Sequence, residues 1–393
     1  MTASAESQVA TKTSSRLFFI DNLRTGLVSL VVLHHVSIVY SAIIPFYFVE
    51  PPFTSPLAGW GLLIFALFNQ SWFMGAFFLL AGYFIPGSFD RKGPSSFLKD
   101  RLLRLGIPLL VFIFVLSPIS WIGIYLMPAD LTGITTPLTI QTFPYVAFLN
   151  WGPLWFVAML LIFSFGYAAW RRLTKNRTAY SVSESSPPSY RRMGIFIPVL
   201  VVVSYLVRMV IPIGKDVLYF PTLAYLPQYI SFFVIGAIAY RHNWFRSLPS
   251  SMGKVGFVMA MVAAVFLFPL AFSGQLFSLE LTEAFANLTG NGHWQSAVYA
   301  LWDSIFAVGM VLGLITLFRR FFNGQGRLSR FLSQHSYTVF VIHIPITVFL
   351  AYALRGVDLN NFIKFGLASV IIVPTCFAIA YIIRKIPFLS RIL

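Results

Sequence analysis

An acid, an arginine and two adjacent histidines stand inside one apolar run long enough to cross a bilayer. They are Asp21, Arg24, His34 and His35 in Phe18–Tyr40, FFIDNLRTGLVSLVVLHHVSIVY. In hydrocarbon such a group costs about 3 kcal/mol unless it is paired or faces a polar cavity, so each is a functional suspect. Arg24 and His35 are eleven residues apart, which at 3.6 residues per turn leaves about 20° between them. Asp21 precedes Arg24 by three residues and lies on roughly the same face, while the helical spacing directs His34 well away from it. The stripe Asp21–Arg24–His35 therefore runs about 20 Å along one side of a helix, from near one membrane surface to past the midplane.

Asp21 and Arg24 taken alone read as an i,i+3 surface ion pair, worth a few tenths of a kcal/mol where the helix meets the headgroups. That reading does not extend to His35, whose short side chain cannot snorkel to water from its depth. A histidine there is either a hydrogen-bonded helix–helix contact or an acid/base group. The pattern leaves both open.

Composition says what must position this stripe. Of 393 residues 58% are hydrophobic and 10% charged, against about a quarter charged in a soluble domain, so the chain is an integral membrane protein held in a lipid bilayer. A net charge of +16 would point to nucleic acid in a soluble protein. Here the positive residues sit in short loops between apolar runs, where they set orientation, and no nucleic-acid partner is expected. The sole cysteine, Cys376, lies in an apolar run, which excludes an internal disulfide framework and a cysteine-based metal cluster. The first fifteen residues are polar and lack a signal-peptide core, so the first apolar run is expected to remain as an uncleaved span.

Hydropathy places ten spans near 18–41, 60–86, 105–127, 153–170, 194–212, 224–240, 253–272, 297–318, 335–353 and 362–383. The second is interrupted by Asn69-Gln70-Ser71, which predicts a kink. Basic residues crowd the N-terminus and every second loop. Of the 28 Lys and Arg only Arg24, Arg208, Lys215, Arg355 and Lys364 fall elsewhere. That asymmetry predicts both termini in the cytoplasm and an even number of spans. The expected fold is an all-α polytopic bundle of about ten transmembrane helices. It comprises a polar cytoplasmic tail, 1–17, and a single transmembrane domain, 18–393, with a polar linker at 171–193 that contains SVSESSPPS. Asn287-Leu288-Thr289 is a glycosylation sequon on the expected outer side, a triplet common by chance. No convincing internal repeat is visible, which weighs against the commoner transporter folds.

Four further features bear on chemistry. Arg101 and Arg104, in KDRLLRLGIP, open the third span from its basic end. They read as positive-inside anchors, or as an i,i+3 pair able to grip phosphate oxygens. His343, in SQHSYTVFVIHIP, falls near mid-membrane. It is either a satisfied contact, with Ser336 of its own helix as a candidate partner, or a second group that handles protons or orients substrate. His335 reads as a solvated end residue. Asp303 and Arg208 both fall in the outer half, either as a buried structural pair or lining an outward cavity, with the structural reading favoured. Trp155, in GPLWF, reads first as an interfacial aromatic anchor and second as a ring at a cavity lip that stacks on a sugar. No metal site is expected, since the histidines are scattered.

Arg24-x10-His35, Arg101-x-x-Arg104, FMGAFFLLAGYF, GPLWF and SYTVFVIHIP, in that order along nearly the whole chain, resemble the membrane acyltransferase-3 family. The opening IDNLRTG is most similar to its glucan-biosynthesis succinyltransferase-like branch. The resemblance implies transfer of an acyl group from cytoplasmic acyl-CoA, acetyl-CoA or succinyl-CoA, to a hydroxyl outside, on a glycan or glycolipid, in the plasma (inner) membrane. It implies His35 as catalytic base with Arg24 and Asp21 as its motif partners, and Arg101 and Arg104 on the CoA phosphates. His343, Trp155 and Asp303 would contact substrate. No tightly bound cofactor is implied. The competing class is a proton-coupled transporter or flippase of an anionic substrate, which uses intramembrane histidines and arginines without consuming acyl-CoA.

Overall fold

The computed structural model describes residues 16–41, 46–50, 56–174, 186–272 and 281–393. The polar tail up to Ser15, with Lys12, and the linker segment 175–185, with Lys175 and Arg177, lie outside the described residues.

Ten helices among the described residues are long and apolar enough to cross a membrane. They are α1 (Phe18–Ser41), α2 (Leu57–Lys92), α3 (Pro94–Tyr125), α4 (Gly152–Leu173), α5 (Tyr190–Val210), α6 (Leu223–Arg241), α7 (Ser250–Ala271), α8 (Trp294–Phe321), α9 (Arg327–Ala353) and α10 (Asn361–Arg384). Short helical turns at Ala129–Thr132, Trp244–Ser247, Leu281–Thr289 and Pro387–Ile392 join or follow them, and no β-strand forms among the described residues. The all-α reading and the span count therefore hold. In hydrocarbon a helix satisfies its own backbone, and the long Leu, Ile, Val and Phe runs supply the apolar surface that this requires.

α1 is the central helix, packed against α2, α8, α9 and α10 and buried on most of its circumference. A helix that is apolar all round belongs in such a position. α5, α7 and α10 instead turn Val202, Val262 and Val370 outward, as lipid-facing helices do. Two close crossings knit the bundle. A methyl group on Gly82 would overlap the Phe233 carbonyl oxygen, so α2 and α6 approach through backbone there. Gly309 of α8 meets the Gly256 carbonyl of α7 in the same way. Small residues at a crossing allow this dispersion-driven packing in lipid.

Two helices begin well before their expected starts: α9, at Arg327, by eight residues, and α3. α2 runs as one helix through Asn69-Gln70-Ser71 and past Pro86. Its polar residues tie α2 to α6: Gln70 donates to the Tyr229 hydroxyl at 3.2 Å, and Gln228 donates to the Ser71 carbonyl at 2.7 Å. α3 begins eleven residues before the predicted start, because Gly93 at φ 73° and Pro94 set a helix start there. Arg101 and Arg104 are therefore inside the helix.

α3 also contains two widened π turns, Leu102–Gly106 and Phe112–Leu116, each two residues before a proline. Pro108 and Pro118 lack an N–H, and their rings would clash with the carbonyls of Arg104 and Phe114 in a regular helix. The widened turn relieves the clash and frees both carbonyls. Each finds a tyrosine: the Tyr337 hydroxyl donates to the Arg104 carbonyl and the Tyr145 hydroxyl to the Phe114 carbonyl, both at 2.7 Å.

One end of the bundle is held by the basic residues. Asp90 accepts from Arg171 at 3.2 Å and from Arg241 at 2.6 Å, and Arg319 donates to the Phe245 and Arg246 carbonyls at 3.0 and 2.7 Å. Asn22 donates to the Phe322 and Gly324 carbonyls, which places the start of α1 at this same basic end.

Candidate active site

His35 does not stand alone. Its Nδ1 lies 2.9 Å from the Val31 carbonyl and 3.1 Å from His343 Nε2 on α9. His343 Nδ1 in turn lies 2.8 Å from the Phe340 carbonyl. A carbonyl oxygen only accepts, so neutral His343 donates from Nδ1 and presents a lone pair at Nε2. His35 must then donate from Nδ1, shared between Val31 and His343. That leaves His35 Nε2 as the nitrogen with a lone pair for a substrate. The expected contact between His343 and Ser336 does not form. Ser336 instead donates to the Leu332 carbonyl and meets Thr25 at 3.0 Å. His343 is fully buried behind His35.

His35 lies in the wall of a cavity of about 720 Å³ whose rim, at Asn150, Asp216 and Tyr219, is at the end opposite the basic residues. The two histidines of α1 line it together with Gln70 of α2, Trp121 of α3, Trp155 of α4 and Tyr225 of α6. Phe46 stacks on the His35 ring at 5.6 Å and 21°, and Tyr47 meets Trp121. Trp155 is buried and stacked on Tyr229 at 5.5 Å, so it is a wall residue of the cavity and not an interfacial anchor. Its place follows from Gly152-Pro153, which turn the chain inward ahead of α4.

Spacing directs His34 away from the stripe, yet it shares the cavity. Its ring meets His35 edge-on at 5.2 Å and Phe73 at 5.0 Å. The cavity is wide enough to span the 100° that separate consecutive helical residues. Gln70, Asn150 and Tyr225 were equally invisible as site residues, because loops and tertiary contacts bring them to the wall. The segment Phe46–Glu50 is held down at its far end by a buried ion pair, in which Lys364 donates to Glu50. Burial pushes the Glu50 carboxyl above its ordinary pKa, and the Lys364 ammonium opposes that shift. Lys364 belongs to the first turn of α10.

At the basic end Asp21 accepts from Arg16 at 2.7 Å and from Arg24 at 3.4 Å. Arg24 is about 16 Å from His35 along α1 and does not line the cavity. Arg101 lies over the Phe97 ring at 5.1 Å, and Arg104 is exposed and pairs with Asp100 at 3.1 Å. The π turn between them breaks the expected i,i+3 register. The Nε–H groups of both Arg24 and Arg101 are buried without a partner among the described residues. Neither basic pair is in contact with the histidines.

Asp303 sits apart from the cavity wall. It and Arg208 form a fully buried ion pair, and the Arg208 guanidinium lies over the Tyr225 ring at 4.8 Å. Two buried charges of opposite sign hold each other, because either alone would be far more costly. Tyr225 stands between the pair and the cavity. His335, expected in water, is buried between Phe331 and Tyr381 and bonds the Phe331 carbonyl at 2.6 Å.

With this geometry in place, the comparisons with known proteins are informative. A family model described as an acyltransferase domain, that of acyltransferase 3, matches residues 17–383. Proteins called glucans biosynthesis protein C from Salmonella typhi, Salmonella agona and Salmonella typhimurium are each 24% identical over 387 residues. The alignments cover 95% of this chain and 94% of theirs. No solved structure matches the chain significantly. The matched region takes in both histidines, the basic arginines and every spanning helix, and the chain belongs to the acyltransferase-3 family.

Proposed function

We propose that the protein is an O-acyltransferase. It moves an acetyl or succinyl group from acyl-CoA at the basic face to a hydroxyl of a carbohydrate or glycolipid in the cavity that opens at the other face. The observation that carries this reading is His35 in the wall of that cavity, backed by the buried His343, with basic residues at the opposite end of the same helix. Histidine is the side chain best suited to moving a proton near neutral pH. The cavity joins aromatic faces, Trp121 and Trp155, with the planar polar groups of Gln70 and Asn150, a lining that suits a sugar. The names of the glucan-biosynthesis relatives support a carbohydrate acceptor.

In the proposed reaction the CoA phosphates are held by Arg101 and Arg104, and the Arg101 Nε–H, which has no partner among the described residues, is free to take an acceptor. The pantetheine arm brings the thioester to His35. His35 Nε2 removes the proton of the acceptor hydroxyl as its oxygen attacks the thioester carbonyl. The tetrahedral intermediate expels the CoA thiolate, which takes that proton back from His35. His343 accepts the Nδ1–H throughout, so it holds the ring in one tautomer while positive charge forms and decays. The direct route needs no acyl-enzyme. The site belongs in a plasma (inner) membrane, where acyl-CoA and acceptor lie on opposite sides.

The test is binding of acetyl-CoA and succinyl-CoA to the purified protein, followed by CoA release on addition of candidate glycans. Wild type and His35→Ala should both bind donor, and the Arg101→Ala/Arg104→Ala variant should not. CoA release should fall at least about a hundredfold in His35→Ala. If wild type has no affinity for any acyl-CoA, the proposal loses its donor and a transporter takes its place.

A further inference from the structure

α5 has fully buried side chains in only one of its halves. Its buried residues are Leu200, Ser204 and Arg208, spaced by four along one face of its outer half, and Arg208 is pinned by Asp303. The preceding ten residues, 190–199, contribute no buried side chain. The basic half of α5 rests on the bundle only through the half-buried Met193, Phe196 and Ile197 and leaves a cavity of about 280 Å³ between itself, α6 and α8. Phe196, Phe232, Ile235, Val308, Val311 and Ile315 line it. Water gains no partners on such a wall, and an empty void forfeits the dispersion contacts of its lining. A helix about 10 Å across is too thick for it. A single hydrocarbon chain fits.

The polar groups are gathered at the mouth. Arg192 is exposed there and forms no ion pair among the described residues. Trp244 also lines the cavity, its Nε1–H buried without an acceptor among the described residues. Its ring is held by stacking on His242 at 5.6 Å and 21°. A cation and an orphaned donor over an apolar slot match a ligand with an anionic head and a hydrocarbon tail. We propose that this cavity binds one acyl chain of an anionic glycerophospholipid, with the phosphate held by Arg192 and Trp244 Nε1–H. The bound lipid adds to the partial packing of the basic half of α5. The site is separate from the histidine cavity, and the inference does not depend on acyl transfer.

Native mass spectrometry of the purified chain, titrated with phosphatidylglycerol or phosphatidylcholine of matched chains, tests this. Wild type should retain one phosphatidylglycerol at least fivefold more tightly than phosphatidylcholine. Arg192→Gln, a surface change, should abolish that preference. Val311→Trp, which fills the slot, should lose the lipid altogether. Soluble glycerophosphoglycerol at the same concentration should not displace it. Equal retention of the two lipids by wild type, an unchanged preference in Arg192→Gln, or displacement by the chainless headgroup would each overturn the proposal.

Discussion

On α1 alone His35 would have only the Val31 carbonyl to fix its ring, an acceptor that already commits Nδ1 to donating. His343 gives the same N–H a second acceptor from α9, because its own Nδ1–H is committed to Phe340. Replacing His343 should therefore act on turnover and not on binding. His343→Ala is expected to lower kcat about a hundredfold with KM for donor and acceptor within about twofold of wild type. His343→Gln, whose side-chain oxygen can accept the His35 proton, should recover about tenfold of that loss. Steady-state kinetics on the three proteins decides it: a rise in KM at constant kcat would make His343 a cavity-shaping residue. At this scale the sequence was readable for His35, since an ionisable group too short to snorkel stands out in an apolar run. The pairing with His343 was not readable, because 308 residues separate the two and only the α1–α9 packing brings them together.

Helices are where periodicity is most informative, and where proline makes it misleading. Ten apolar runs were visible as ten spans, but the register inside α3 was not, because each proline there unwinds the turn before it. The two π turns shift the side chains within and after them, Arg104 inside the first among them, and no hydropathy profile carries that phase. The compensation comes from elsewhere in the chain: Tyr337 on α9 and Tyr145 in the loop after α3 each cap a carbonyl that a proline has bared. Tyr337→Phe should therefore destabilise the protein by about 1 kcal/mol. In a Pro108→Ala background, where residue 108 regains its N–H, the same change should cost less than half as much. Unfolding in detergent measured on the four proteins of this cycle gives the coupling. An equal cost in both backgrounds would mean that Tyr337 stabilises α9 by itself and does not serve the π turn.

Taken as a whole, the molecule has two unlike ends, and its chemistry depends on which end meets the cytoplasm. The basic end ties Asp90, Arg171, Arg241 and Arg319 into the loop ends of α2, α4, α6 and α8, while the cavity with His35 opens at the other. Basic loops are retained on the cytoplasmic side during insertion, so the donor side of the proposed reaction and the charge pattern require the same orientation. Cysteine labelling can test it cleanly, because the sole native thiol, Cys376, is buried. Thr136 and Ser247 are exposed at opposite ends. With a membrane-impermeant maleimide, Thr136→Cys should label in intact cells, and Ser247→Cys should label only after the membrane is broken. The reverse pattern would put the arginines outside, where no acyl-CoA reaches them, and would remove the donor from the proposed reaction while leaving the family assignment and the His35–His343 geometry as they stand.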